Sequence, residues 1–234
     1  MESADSDRSG RLPPLAPPLN ADGMNKGFDA LISGYHRFRE KGWREQHERW
    51  AELKDGQTPQ IMVIACSDSR VDPSQIFDAS PGEMFVVRNV AAMVPPFEIG
   101  GGLHGVSAAL EFAVTQLEVP EIVIMGHGAC GGVSAALTRR FEQAAPGEGR
   151  FISDWMSLLD ESRERIVRDL GNGPEAARAL ELEAVKVSLA NLRTFPCIPL
   201  REAKGKLKLY GSYFAIKDGI LHLLDEATGA FSPA

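Results

Sequence analysis

The chain has 234 residues, a length that suits one large domain or two small ones. Its net charge is −7, with 24% charged and 44% hydrophobic residues, an ordinary globular mix that argues against nonspecific binding to nucleic acid or to an anionic membrane surface. Three cysteines are too few for a disulfide framework, no apolar run nears the ~20 residues of a membrane span, and no basic-then-apolar leader opens the chain, so a cytoplasmic, reducing location is expected.

Residues 1–23 read as a flexible tail. Pro13, Pro14, Pro17 and Pro18 stand among small polar residues, with too little apolar surface to offset ordering entropy. Residues 24–234 read as one α/β domain with a helical arm at its start. Phe28, Leu31, Ile32, Tyr35 and Phe38 form the stripe of an amphipathic helix. Gly42 breaks it, and a second short helix carries Trp43 and Trp50. Three apolar runs follow, 61–65, 84–87 and 122–125. Continuous rather than alternating, they suit strands covered on both faces. Between the second and third, Val106, Ala109, Leu110, Ala113, Val114 and Leu117 fall at helical spacing, which makes a strand–helix–strand unit and favours a parallel sheet. Helices are expected over 131–141, 152–170 and 174–193. Strands 207–216 and 220–224 flank Asp218-Gly219, a type I′ hairpin signal. The fold class is therefore α/β, a central and mostly parallel sheet flanked by helices.

Two segments start where a strand run stops: Cys66-Ser67-Asp68-Ser69-Arg70, and Gly126-His127-Gly128-Ala129-Cys130-Gly131-Gly132. In open α/β sheets, ligands gather at the carboxyl ends of strands, so both belong on one rim. His127 and Cys130, three apart, share one face of a helix start, where a thiolate is favoured. Cys66 from a neighbouring strand end completes a Cys₂His set. Three protein ligands with an open fourth position describe a catalytic zinc site. Other readings stay open at this point. A Cys after a strand is commonly a small buried hydrophobe, and a Gly-rich turn can cradle phosphate, although no Lys-Ser or Lys-Thr pair follows this one. Asp68 with Arg70 is also readable as an ion pair that only shapes a turn.

These motifs, together with Pro81-Gly82-Glu83-Met84-Phe85-Val86-Val87-Arg88-Asn89-Val90 and Tyr213-Phe214-Ala215-Ile216-Lys217-Asp218-Gly219, resemble the β-class carbonic anhydrases over roughly residues 25–230. The resemblance implies one Zn²⁺ per subunit on Cys66, His127 and Cys130, with Asp68 and Arg70 as a working pair. It implies reversible hydration of CO₂ to bicarbonate and a proton by zinc-bound hydroxide, in a homodimer or larger homo-oligomer. Val63 replaces the Trp of one subgroup, and Gln57 stands where the plant-like, open-site subgroup has Gln. Phe85, Val90 and Val71 match an oily pocket wall, and Phe112 stands where Tyr is usual. The Gly131 N–H and the Gln57 amide are the expected donors to substrate. In that family the Gln, Phe and Tyr-position residues reach across the dimer, so a monomer is expected to be nearly inactive. Two thiolates leave zinc with net charge near 0, which predicts activity rising with pH through a value above ~7. The competing readings are a zinc hydrolase of a related molecule such as carbon disulfide, and a zinc-stabilised binding protein without turnover. Arg88 and Asn89 are expected to brace strand-end loops, and Cys197 to be unreactive.

Overall fold

The computed structural model describes residues 27–100 and 102–234, so the predicted tail over 1–23 lies outside them. The chain forms two units, one ending at Asp55 and one spanning Gly56–Ala234. The first holds helices α1 (Phe28–Glu40), α2 (Gly42–Glu45) and α3 (His47–Leu53). The predicted stripe on α1 is present and exposed along its length. The expected single helix with Trp43 and Trp50 is two helices, because Gln46 leaves helical geometry at φ −108° and ψ 24°. Phe38 packs edge-on against Trp50, and the Arg39 guanidinium lies over Trp43.

The second unit is built on six strands: β1 (Ile61–Cys66), β2 (Met84–Asn89), β3 (Glu121–His127), β4 (Lys208–Ala215), β5 (Ile220–Asp225) and β6 (Ala230–Pro233). Their order is β2-β1-β3-β4-β5-β6. The first four run parallel, and β5 and β6 add antiparallel. Helices α4 (Pro73–Ile76), α5 (Gly105–Thr115), α6 (Gly131–Leu137), α7 (Arg150–Met156), α8 (Asp160–Leu170), α9 (Pro174–Leu192) and α10 (Cys197–Ala203) complete it.

The alternation of β1 explains its unbroken apolar run. Val63 and Ala65 pack into one core with Met125, Met156, Leu159 and Leu180, while Met62 and Ile64 pack into another with Leu110, Val114, Leu189 and Leu192. A strand covered on both faces has no solvent side to make polar. β2 departs from this expectation. It stands at the sheet edge and is only half-buried. The long helix α9 starts on Pro174 at a first-turn position, where the missing N–H costs nothing, and packs across β3 and β4.

Several boundaries differ from the expected ones. The 131–141 helix stops at Leu137, and Arg139 then takes a left-handed φ of 50°. The 152–170 helix is divided by a 3-10 turn at Ser157–Leu159. β4 ends at Ala215, which pairs with Ile220, so the hairpin loop has four residues rather than a type I′ pair. Within it Gly219 alone turns to positive φ, and Asp218 Oδ1 accepts the Ile220 N–H instead. Strand β6 and helices α4 and α10 were not expected. Asp72 caps α4 by accepting the Ser74 and Gln75 N–H groups.

Where α9 crosses the sheet, close approach requires glycine. A Cβ on Gly211 would meet Val185 at 2.9 Å and both Leu189 and Leu224 at 3.0 Å. Val185 is β-branched and cannot swing aside. Gly211→Ala is therefore expected to destabilise the fold by about 1–3 kcal/mol, read as a lower urea midpoint at unchanged slope.

Candidate metal centre

The centre grows from two neighbouring strand ends. Parallel pairing sets Ala65 beside Met125, which brings Cys66, the last residue of β1, next to the end of β3 at His127. The chain then turns through Gly128 and Ala129 to Cys130, just before α6. The two sulfurs and an imidazole nitrogen all lie within 4.8 Å of one another. Cys66, His127 and Cys130 are 5%, 2% and 3% exposed, so the donors are withdrawn from solvent.

The donor chemistry fits zinc. The Cys66 and Cys130 sulfurs are 4.0 Å apart, near the ~3.8 Å edge expected of two sulfurs about 2.3 Å from one tetrahedral centre. His127 Nδ1 faces the Gly128 carbonyl oxygen at 2.9 Å, which fixes its proton on Nδ1 and leaves the Nε2 lone pair free. That Nε2 is buried and has no hydrogen-bond partner. A buried nitrogen without a partner costs about 1–3 kcal/mol, and a metal ion removes the cost.

The cysteines form a coupled pair. Cys66 is pulled well down, first by the hydrogen bond from Cys130, then by His127 and the Asp68 N–H, against the opposing effect of burial. Cys130 is pushed up by the same sulfur contact and by burial, although the Gly132 and Val133 N–H groups favour its thiolate. Two charges of like sign so close oppose each other's ionisation, which is why the two thiols shift in opposite directions. For His127, burial lowers the pKa, but the neighbouring Cys66 sulfur outweighs it and the net shift is upward.

Asp68 and Arg70 stand beside these donors as a bidentate pair. Arg70 Nε donates to Asp68 Oδ1 at 2.9 Å and Nη2 to Oδ2 at 2.6 Å, and the Arg70 backbone N–H adds a third bond to Oδ1. Arg70 Nη2 also donates to the Ala129 carbonyl oxygen at 3.0 Å, tying the pair to the His127–Cys130 loop. Beneath the pair, Arg88 donates to the Cys66 and Asp68 carbonyls and to the Asp72 carboxylate. Asn89 brackets the Met93 backbone at both its N–H and its carbonyl. Both act as the expected loop braces.

Of the residues expected to line the pocket, Phe85 and Phe112 lie against each other, their rings 6.0 Å apart at 31°. Val90 packs over the first turn of α6, where a Cβ on Gly132 would meet it at 2.6 Å. Val71 is fully buried, Gly131 is exposed at the start of α6, and Gln57 is exposed ahead of β1 without joining these contacts. Sequence reasoning missed Glu181. This carboxylate is 7% exposed, and it accepts the Cys130 N–H at 3.2 Å and the Tyr213 hydroxyl at 2.7 Å. Its signal was present: an acid in phase with Ala184, Val185 and Ser188 on the buried face of α9.

Arg70 holds the Asp68 carboxyl down at about 2, chiefly by their side-chain hydrogen bonds. A depressed carboxylate contributes stability above its unfolded pKa and loses it as pH falls through the folded one. The pair is thus fully formed at neutral pH and fades between 3.8 and about 2. Arg70→Ala should return the Asp68 pKa toward 3.8, checked by carboxyl NMR titration of the two proteins.

The carbonic anhydrase family model matches residues 61–221, a span that includes Cys66, Asp68, Arg70, His127 and Cys130. "Beta carbonic anhydrase 3" of Arabidopsis thaliana is 34% identical over 209 residues, 87% of this chain and 80% of that protein. Among solved structures, the β-carbonic anhydrase CcaA superposes with TM-score 0.81 at 30% identity, covering 88% of this chain and 91% of that one. The β-carbonic anhydrase CafA of Aspergillus fumigatus gives 0.74 at 30% identity, covering 85% and 90%. The sequence match and the shared fold extend over most of the chain and include the strand ends that carry the donor set, and the chain belongs to the β-carbonic anhydrases.

Proposed function

We propose that the protein interconverts CO₂ and bicarbonate at a single zinc site in each subunit. The observation that carries this reading is the buried, partnerless Nε2 of His127 facing the two cysteine sulfurs. Cys66, His127 and Cys130 would hold the ion, leaving a fourth position free of protein. When bound, zinc supplies Lewis-acid activation of water near neutral pH.

The chain's own residues do the rest. Asp68, ionised at working pH, accepts a hydrogen bond from the attacking water and orients it toward CO₂. With both carboxylate oxygens engaged by the Arg70 fork, Asp68 is kept from taking the open position itself. Phe85, Val90 and Phe112 offer apolar surface suited to CO₂, with the buried Val71 packed behind the turn after Cys66, while the Gly131 N–H and the Gln57 amide offer donors to the anionic product. Phe112 brings no hydroxyl to this surface, so product orientation falls to those two donors. The retained Asp68–Arg70 pair argues against a metal that only staples the fold, which needs neither residue.

The same reading makes the protein a homodimer or larger assembly. β2 ends the sheet with Val86 exposed, Val90 and Phe112 stand exposed near it, and the stripe of α1 is exposed as well. Solved β-carbonic anhydrases of Sordaria macrospora, 26% identical, are described as tetrameric. A second copy against β2 would close the wall and bring Gln57 into use. The low cysteine content, three in 234 residues, suits a reducing compartment such as the cytoplasm.

The test is metal content together with rapid-mixing CO₂ hydration at pH 7 and pH 8.5. One zinc per chain and faster hydration at the higher pH are expected. Zinc without proton release at either pH would overturn the enzymatic reading. Cys66→Ser should lose both zinc and activity. Asp68→Asn should keep its zinc and lose about 10²-fold or more in kcat, and unchanged kinetics would remove Asp68 from the mechanism.

A further inference from the structure

Glu181 is the one acidic side chain among the buried residues of the described chain. A buried carboxylate survives only where its oxygens are matched by donors. Here Oε1 takes the Cys130 N–H and Oε2 takes the Tyr213 hydroxyl. Tyr213 is itself 2% exposed, and the Arg178 guanidinium covers its ring at 3.6 Å from the centroid. Burial and the adjacent carboxylate both push the Tyr213 pKa upward, which keeps its proton on the oxygen as a donor. The loop above is cut to this arrangement: a Cβ on Gly128 would meet the Tyr213 hydroxyl at 2.8 Å.

The Cys130 N–H and the Ala129 carbonyl belong to one peptide group. Its carbonyl accepts from Arg70 Nη2, and its N–H donates to Glu181 Oε1. The peptide is therefore held at both ends by charged side chains, a guanidinium above and a carboxylate below. Ala129 needs such holding, because its φ of 53° is a left-handed conformation that costs a non-glycine residue about 1 kcal/mol or more. One continuous path runs from Asp68 through Arg70 and this peptide to Glu181 and Tyr213.

We propose that Glu181 is a positioning residue which clamps the Ala129–Cys130 peptide, fixing the Cys130 sulfur for zinc and the Arg70 fork for Asp68 together. Hydrogen bonds to ionised groups are about twice as strong as neutral ones, so the carboxylate does what an amide of the same shape does less well. The role rests on Cys130 being a zinc ligand, as proposed above.

The test follows zinc release from the folded, zinc-loaded protein to a colorimetric chelator, with the cobalt–thiolate absorption band of the cobalt-substituted protein as a second readout. Glu181→Gln should release zinc about tenfold faster and shift the cobalt band. Tyr213→Phe, which frees one carboxylate oxygen, should change both in the same direction by less. Ser188→Ala, on the same buried face of α9, controls for lost stability and should leave both readouts as in the parent. A parent chain that takes up no zinc overturns the ligand set and this role with it. A zinc-binding parent matched in release rate and cobalt band by Glu181→Gln overturns the role alone. If Glu181→Gln does not fold, Tyr213→Phe decides: release no faster than in Ser188→Ala overturns the clamp.

Discussion

Three buried donor atoms from two adjacent strand ends meet, and one of them, His127 Nε2, has no hydrogen-bond partner in the protein. Folded proteins rarely leave such an atom unmatched, since its lost hydration is recovered nowhere else. A divalent ion satisfies the imidazole nitrogen and stabilises both sulfurs as thiolates at once. This requirement organises the neighbourhood. The Gly128 carbonyl sets the imidazole tautomer, the Asp68 N–H faces one sulfur, and the Gly132 and Val133 N–H groups face the other.

The sheet makes the convergence possible. Parallel register puts the carboxyl ends of β1 and β3 side by side, and two apolar cores hold β1 from both faces. Chemistry then sits on the short turns that leave those ends, as is usual for open α/β sheets. Those turns are not left to find their own shape. Arg88 draws together the Cys66 and Asp68 carbonyls and Asp72, while Arg70 reaches across to Ala129. Positive charge thus threads the loops around a site whose own donors are anionic.

The metal ligands and the Asp68–Arg70 pair were legible in the chain because each lies within a few residues of an apolar strand run, so a local pattern located them. The parallel strands were legible for the same reason. Glu181 was not found, because its partners are 51 and 32 residues away and its sequence neighbours on α9 are ordinary helix formers. The Asp218-Gly219 turn was misread because the end of β4 is decided by pairing with β5, not by the dipeptide. The edge position of β2 was equally invisible: its apolar content equals that of a central strand, and an exposed apolar edge is a property that pairing, not composition, reveals. Gln57 was expected as a donor from the resemblance alone, and within one chain it is exposed ahead of β1.

X-ray absorption at the zinc edge of the purified protein tests the central claim most directly. Two sulfurs at about 2.3 Å and two lighter atoms at about 2.0–2.1 Å, one of them an imidazole nitrogen, are predicted. A spectrum of nitrogen and oxygen alone, or of four sulfurs, would contradict it.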